Sequence, residues 1–317
     1  MDRFLTADDL EKALRQDVTE GLTGDPKSLP SKWFYDERGS ELFEDITRLE
    51  EYYPTRRERA ILARHAPEIV DATGADTLLE LGAGSGEKTR LLLDALGGTL
   101  REYIPVDVSG DFVVAAAEQI ARDYPGLSVR PVVADYEQHL HLLPTSGKRL
   151  IAFLGGTIGN MAPDQRADFL AGVRSTMADG DTLLLGADLV KKESRLVSAY
   201  DDAQGVTAAF NRNVLHVINR ELGADFVPEA YDHVAVWDTA NEWVEMRLRS
   251  ATDQLVRIEA LGLTVRVAAG EEIRTEISSK FRDERLRDEL DAAGLSLRHR
   301  WTDPDGDFAL VLAGIAG

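Results

Sequence analysis

Between about residues 60 and 190 strand-like and helix-like segments alternate: Thr77 to Leu81, Lys88 to Leu96, Tyr103 to Val106, Phe112 to Asp123, Ser128 to Val133, Leu150 to Leu154, Arg166 to Met177 and Thr182 to Gly186. This alternation constrains the fold more than any other feature, because repeated strand-helix units close as parallel crossovers and give a doubly wound α/β sheet. Residues 191 to 280 change character, with a long helical region followed by period-two strands such as Trp243 to Arg249 and Glu272 to Lys280. The tail, Glu284 to Ala293 and then Phe308 to Ala313, reads as a helix and a strand returning to the first sheet. Residues 1 to 56 begin with an amphipathic helix, with Leu10, Ala13, Leu14 and Val18 at helical spacing, and continue as an aromatic, proline-punctuated stretch. Residues 57–190 with 281–317 are expected to form a nucleotide-type domain. Residues 1–56 with 191–280 are expected to form an inserted α+β substrate domain.

With 44% hydrophobic residues over 317 positions, the chain can bury a full core. It has no apolar run of the roughly 18 residues a membrane helix needs, and its N-terminus lacks a signal-peptide pattern, so a cytoplasmic protein is expected. The absence of cysteine removes disulfides and thiol nucleophiles. A formal charge of -20 would repel a phosphate backbone, so neither nucleic acid nor an anionic membrane is an expected partner. No metal is expected either. The six histidines are scattered, with His139 and His141 the one close pair. Asp303-Pro304-Asp305-Gly306-Asp307 lacks the downstream bidentate glutamate of a calcium loop and contains proline, which favours a tight turn. The chain is expected to act as a monomer.

The strongest local motif is Glu80-Leu81-Gly82-Ala83-Gly84-Ser85-Gly86-Glu87-Lys88, directly after an expected strand. Glycines there permit a tight turn and close approach of a ligand, although they also suit a plain strand-to-helix turn. Glu87 stands where a dinucleotide fingerprint wants glycine, which speaks against pyrophosphate and against a dehydrogenase. Glu80, just before the loop, suits a cationic ligand without phosphate. Asp107 ends the next strand, where a carboxylate can grip ribose hydroxyls. Asp135, after the third strand, can hold an adenine amine. Together these residues resemble the class I (Rossmann-like) methyltransferases that use S-adenosylmethionine.

Leu154-Gly155-Gly156-Thr157-Ile158-Gly159-Asn160 follows the fourth strand, at the edge where open α/β sheets bind ligands. The Asn160 amide could aim a substrate amine, or it could cap the helix before Pro163. Alternation places Glu276 and Ser278 on one strand face, and Met246 with Val244 and Leu248 on an apolar one. Taken alone, the first pair could be a solvated strand face and Met246 could be core.

Lys32-Trp33-Phe34-Tyr35-Asp36, Glu51-Tyr52-Tyr53-Pro54-Thr55-Arg56, Tyr200-Asp201-Asp202, Phe210-Asn211-Arg212-Asn213, Lys280-Phe281-Arg282 and Trp301-Thr302-Asp303-Pro304 carry a more specific resemblance, spread almost end to end. They resemble the histidine-specific N-methyltransferases of ergothioneine biosynthesis. The resemblance implies that Asn160 holds the α-amine of L-histidine, Tyr52 and Tyr200 its carboxylate, and Glu276 and Ser278 its imidazole. It places Met246 beside the ring and Tyr35 and Thr207 near the substrate, although both hydroxyls could equally satisfy local backbone. It assigns S-adenosylmethionine, as co-substrate, to Gly82, Lys88, Asp107, Asp135 and Tyr136. Where the family often has phenylalanine this chain has Tyr136, and either ring can stack on adenine. Ala83 and Ser85 are small enough to be neutral in the loop. The implied reaction is trimethylation of histidine to its betaine, hercynine, with catalysis carried by positioning through Asn160 and Tyr35. Two alternatives stay open: a methyltransferase for tyrosine or tryptophan, and a module that binds S-adenosylmethionine without turnover.

Overall fold

The computed structural model describes residues 1–84 and 86–317; Ser85 lies outside the described residues. In chain order the elements are β1 (Asp2–Arg3), α1 (Ala7–Thr23), α2 (Glu37–Arg48), α3 (Pro54–Thr73), β2 (Thr77–Leu81), α4 (Thr89–Leu96), β3 (Glu102–Asp107) and α5 (Gly110–Asp123). Next come β4 (Ser128–Val129), β5 (Val132–Val133), β6 (Arg149–Phe153), α6 (Pro163–Thr176), β7 (Thr182–Asp188), α7 (Glu193–Tyr200), α8 (Val206–Leu222) and β8 (Tyr231–Asp238). The last are β9 (Trp243–Ser250), β10 (Gln254–Ile258), β11 (Leu263–Val267), β12 (Glu272–Ser279), α9 (Asp283–Ala292), β13 (Leu295–Thr302) and β14 (Phe308–Ile315). They fall into two compact units. Met1–Thr6, Pro54–Val190 and Phe281–Gly317 form the first, and Ala7–Tyr53 with Lys191–Lys280 form the second.

The first unit is a sheet in the order β1-β5-β3-β2-β6-β7-β14-β13, with β4 also paired to β3. The strands from β1 to β7 run parallel, and β14 and β13 are added antiparallel. Every residue of β2, β6 and β7 is buried, as a parallel sheet with both faces covered requires. Successive residues divide between the two faces: Leu79, Leu81, Ile151 and Phe153 enter one cluster, Leu78, Leu150 and Ala152 the other. The chain runs outward from β2 through β3 to β5, then returns to β6 and continues the other way. The loops after β2 and β6 therefore flank the topological switch point, where open α/β sheets bind ligands.

Two expectations need correction here. The single strand expected at Ser128 to Val133 is broken into β4 and β5 around Arg130 and Pro131, because Pro131 has no N–H to give the ladder. Residues 1–6 and 54–56 belong to the first unit, not to a substrate domain. Asp2 N–H donates to the Pro131 carbonyl at 3.1 Å, and the Asp2 carboxylate pairs with Arg130 at 2.6 Å, which fastens the N-terminus to the sheet edge.

The second unit packs α1, α2, α7 and α8 with an antiparallel sheet, β12-β9-β8, and the hairpin β10-β11. Leu14, Val18 and Leu22 of α1 recur every four residues and enter its core, with Phe210, Val214 and Ile218 of α8 and Val244, Met246 and Leu248 of β9. Among the described residues no helix is long and apolar enough to cross a membrane.

Candidate functional site

In the first unit β2 delivers the chain to Gly82, Gly84 and Gly86, whose φ values of 67°, 53° and 68° lie in the region glycine alone adopts cheaply. The Gly84 N–H donates to Asp107 Oδ2 at 3.2 Å, and the Ser109 N–H donates to Oδ1 at 3.0 Å. Desolvation pushes the Asp107 carboxyl up, and these N–H groups pull it back. A carboxylate accepts about four hydrogen bonds, so Asp107 is fixed at the sheet edge with capacity left for a diol. Asp135 accepts from the Glu137 N–H at 2.8 Å and from Gln138 Nε2 at 3.2 Å. Tyr136 stands edge-on to Phe153 and Phe169, with centroids 5.2 and 5.9 Å away, and a Cβ on Gly82 would come within 3.7 Å of its ring. A bare glycine turn, a fixed carboxylate and an aromatic ring thus meet at the switch point, which fits an adenosyl group.

Glu80 does something other than attract a ligand. It is buried; the Thr89 hydroxyl lies 2.7 and 2.6 Å from its two oxygens, and the Tyr103 hydroxyl donates at 2.6 Å. Burial pushes its carboxyl up to about 7 in spite of those bonds. Glu80 braces β2 against β3 and α4. Lys88 Nζ pairs with Glu58, a buried residue of α3 whose oxygens accept the Gly155 N–H at 2.7 and 3.0 Å. Glu58 therefore ties the end of the glycine loop to the start of the loop after β6. No local pattern in α3 marks it.

Asn160 ends a 3-10 turn, Thr157–Asn160, that follows Gly155 and Gly156 at φ 84° and 70°. It is not the helix cap, since α6 starts at Pro163 and the residue before it is Ala162, whose N–H donates to Gln165 at 2.9 Å. Its own amide has no hydrogen-bond partner among the described residues. The acidic turn near the C-terminus is organised from within. Asp303 accepts the N–H groups of Asp305, Asp307 and Phe308 at 2.8 to 3.0 Å, and the Arg57 guanidinium faces Asp303, Asp305 and Asp307.

In the second unit β12 pairs with β9 so that Glu276 lies opposite Met246 and Ser278 opposite Val244. Ile273 lies opposite Leu248, three residues before Glu276, which strict alternation would put on the other face. A β-bulge between Arg274 and Glu276 absorbs the extra residue, Thr275, and turns Glu276 onto the apolar face. The Thr275 hydroxyl lies 2.6 Å from Asn211 Oδ1 and 3.0 Å from the Met246 carbonyl. Asn211 Nδ2 donates to His233 Nδ1 at 2.8 Å, and His233 Nε2 donates to the Tyr200 carbonyl at 2.7 Å. Burial holds the His233 pKa down, in keeping with the neutral tautomer this chain of bonds requires.

At the end of that chain the Tyr200 hydroxyl and Ser278 Oγ share a hydrogen bond of 2.7 Å, and Lys280 Nζ donates to both at 2.8 Å. Glu276 is buried, and its carboxylate has no hydrogen-bond partner among the described residues. Burial pushes it up to about 7, and the charge of Lys280 opposes the shift. Tyr52 stands edge-on to Tyr200 at 6.3 Å and to Phe43 at 6.1 Å; Phe43 in turn meets Tyr35 at 5.5 Å. Tyr35, 41% exposed, closes this aromatic row. Thr207 is buried in the first turn of α8, with its N–H donating to Asp202 at 2.7 Å. Lys280, Asn211 and His233 were not expected to take part. Lys280 could have been found from the alternation that pairs Glu276 with Ser278, carried two residues further.

The match to the family model for histidine-specific, S-adenosylmethionine-dependent methyltransferases spans residues 14–315. The chain is 56% identical over 312 residues to the histidine N-alpha-methyltransferase of Mycolicibacterium smegmatis, covering 98% of this chain and 97% of that one. It is 55% identical over 303 residues to the enzyme of the same name from Mycobacterium tuberculosis, covering 95% and 94%. Among solved structures, an S-adenosylmethionine-dependent methyltransferase from Clostridium acetobutylicum superimposes with a TM-score of 0.50 at 12% identity over 87% of this chain and 99% of that one, a likeness of fold alone. The glycine turn at the switch point, the Glu276 carboxylate without a hydrogen-bond partner among the described residues and a family match spanning almost the whole chain agree, and this chain belongs to the histidine-specific, S-adenosylmethionine-dependent methyltransferases.

Proposed function

We propose that this enzyme methylates the α-amino group of L-histidine three times, giving the betaine from which ergothioneine is made, and that each unit supplies a separate part of the machinery. The observation that carries the assignment is Glu276. A largely buried carboxylate without a hydrogen-bond partner among the described residues is costly unless water or a ligand supplies the donor, and it is open to a ligand that does. Neutral imidazole offers one N–H and one bare nitrogen, which Glu276 and the Ser278 hydroxyl satisfy in turn. The indole of tryptophan has the N–H but no acceptor and would leave Ser278 unmatched, and the phenol of tyrosine carries its donor and acceptor on one oxygen rather than on two separated ring atoms, so it cannot span both groups as imidazole does. Met246 packs against the ring, Tyr52 and Tyr200 donate to the substrate carboxylate, and Tyr35 and Thr207 line the same pocket.

S-adenosylmethionine supplies a methyl group already activated on a sulfonium sulfur. Asp107 holds its ribose, Tyr136 and Asp135 its adenine, Gly82 leaves room for it, and Lys88 matches the charge of its carboxylate. The remaining task is to deliver an unprotonated amine in line, and positioning of that kind contributes up to about 7 to 11 kcal/mol. Asn160 accepts a hydrogen bond from the amine and aims its lone pair. Once the nitrogen carries two methyl groups and no proton, orientation falls to the anchors on the carboxylate and the ring. The attacking amine needs no Lewis acid, so no metal enters the scheme.

The test is mass spectrometry of products after incubation with S-adenosylmethionine and an equimolar mixture of amino acids that includes histidine and its mono- and dimethyl forms. Trimethylated histidine is the expected product. Methylation of another amino acid would overturn the roles of Glu276 and Ser278, and no methylation would leave a binding module.

A further inference from the structure

Lys280 is fully buried, although nothing in the assigned chemistry requires an ammonium group. Its Nζ lies 2.8 Å from both Tyr200 Oη and Ser278 Oγ and 4.7 Å from the centre of the Tyr200 ring. An ammonium group only donates. Neither hydroxyl can therefore direct its proton at Lys280, and each must accept there and donate elsewhere. In the structure the two oxygens, 2.7 Å apart, share one of those protons. A ligand that brings two acceptors, a carboxylate and an unprotonated ring nitrogen, can take both.

We propose that Lys280 is a positioning residue for histidine: by donating to both oxygens it fixes their spacing and turns Tyr200 and Ser278 outward as donors to the substrate. Its charge also strengthens both as donors, because a cation beside a hydroxyl oxygen favours giving up the proton. The proposal rests on the histidine-site reading above. It adds that the polarity of the site is imposed from behind, by a residue that need not touch the substrate.

Steady-state kinetics of Lys280→Met test it, alongside Ser278→Ala, the pair Tyr200→Phe with Ser278→Ala, and the triple variant. Removing a charge-assisted bond of this kind is expected to raise the histidine KM about 10- to 100-fold in Lys280→Met, with kcat changed less than about threefold. The affinity for S-adenosylmethionine alone is expected to hold. In the background lacking both hydroxyls, losing Lys280 is expected to cost less than about threefold more, the non-additivity of residues that act through one another. A histidine KM unchanged in Lys280→Met, or an equal loss in that background, would overturn the proposal. If Lys280→Met does not melt cooperatively, Lys280→Gln, which keeps one donor without the charge, carries the test with an expected rise of about three- to tenfold. Ser278→Ala separates the two levels. If it leaves the histidine KM unchanged, the site reading fails; if it raises KM while the Lys280 variants do not, only the role of Lys280 fails.

Discussion

Glu80 in the first unit and Glu276 in the second are alike by the usual measures of a functional carboxylate: both are buried, and burial pushes both up to about 7. They differ in their partners. Glu80 is enclosed by the hydroxyls of Thr89 and Tyr103, while Glu276 has no hydrogen-bond partner among the described residues and feels the charge of Lys280. A perturbed pKa therefore does not separate a brace from a ligand group. The open hydrogen-bonding capacity of a carboxylate does, because an acceptor of that strength calls for water or a ligand to complete it.

The largest expected effect tests that distinction. Glu276→Leu is expected to lower kcat/KM for histidine by about 100-fold or more, since a bond to a buried charge is worth roughly 1.5 to 3 kcal/mol and the imidazole N–H would be left unpaired. Glu80→Gln, which keeps the shape and most of the bonding, is expected to stay within about threefold in the same assay. The opposite pattern would assign the ligand to the wrong carboxylate.

Sequence alone made the first unit far more legible than the second. The span of β2 is read correctly to the residue, because apolar runs between glycine turns leave little choice. The helix and strand after residue 280 are read with small shifts, but β13 between them is missed: it is an edge strand with Arg298, His299 and Arg300 exposed and a bulge of its own, so no alternation survives. In the site, Gly82, Asp107 and Asp135 follow from their places at strand ends, whereas Tyr136 follows from the family resemblance. Glu58 and Lys88 are 30 residues apart, and Asn211 and Thr275 are 64, with no shared periodicity to join them. The bulge at Thr275 is hidden because strict alternation already pairs Glu276 with Ser278; only the neighbouring Ile273 reveals the slip.

The pH responses of the two carboxylates sharpen the comparison. For Glu80 the folded pKa, about 7, lies above the ordinary 4.5, so its contribution to stability is full below about 4.5 and is lost as pH rises through 7. The loss amounts to about 3 kcal/mol at full ionisation. Melting at pH 5 and pH 8 is expected to show a larger loss of stability in the native chain than in Glu80→Gln, where only the part due to Glu276 remains. Glu276 has the same sign for stability, yet histidine binding needs its ionised form. The histidine KM is therefore expected to rise as pH falls below about 7, up to about tenfold per unit, and to lose that limb in Glu276→Gln, which also divides out the titration of the substrate. A limb that persists in Glu276→Gln would belong to another group.

The smallest expected effect asks how the unmet carboxylate is kept aimed. Thr275→Val preserves the volume of the bulge residue and removes its hydroxyl, which leaves Asn211 Oδ1 without that donor and loosens the chain from Thr275 through His233 to the Tyr200 carbonyl. A buried acceptor left unsatisfied costs about 1 to 3 kcal/mol, so a lower melting temperature is expected. If the bulge only shapes β12, the histidine KM follows the native value. If it aims Glu276 and Ser278, as the register implies, KM rises about three- to tenfold while the affinity for S-adenosylmethionine holds. Glu80 has no counterpart to this dependence, since the hydroxyls that fix it come from residues on β3 and α4 rather than from an irregularity in its own strand.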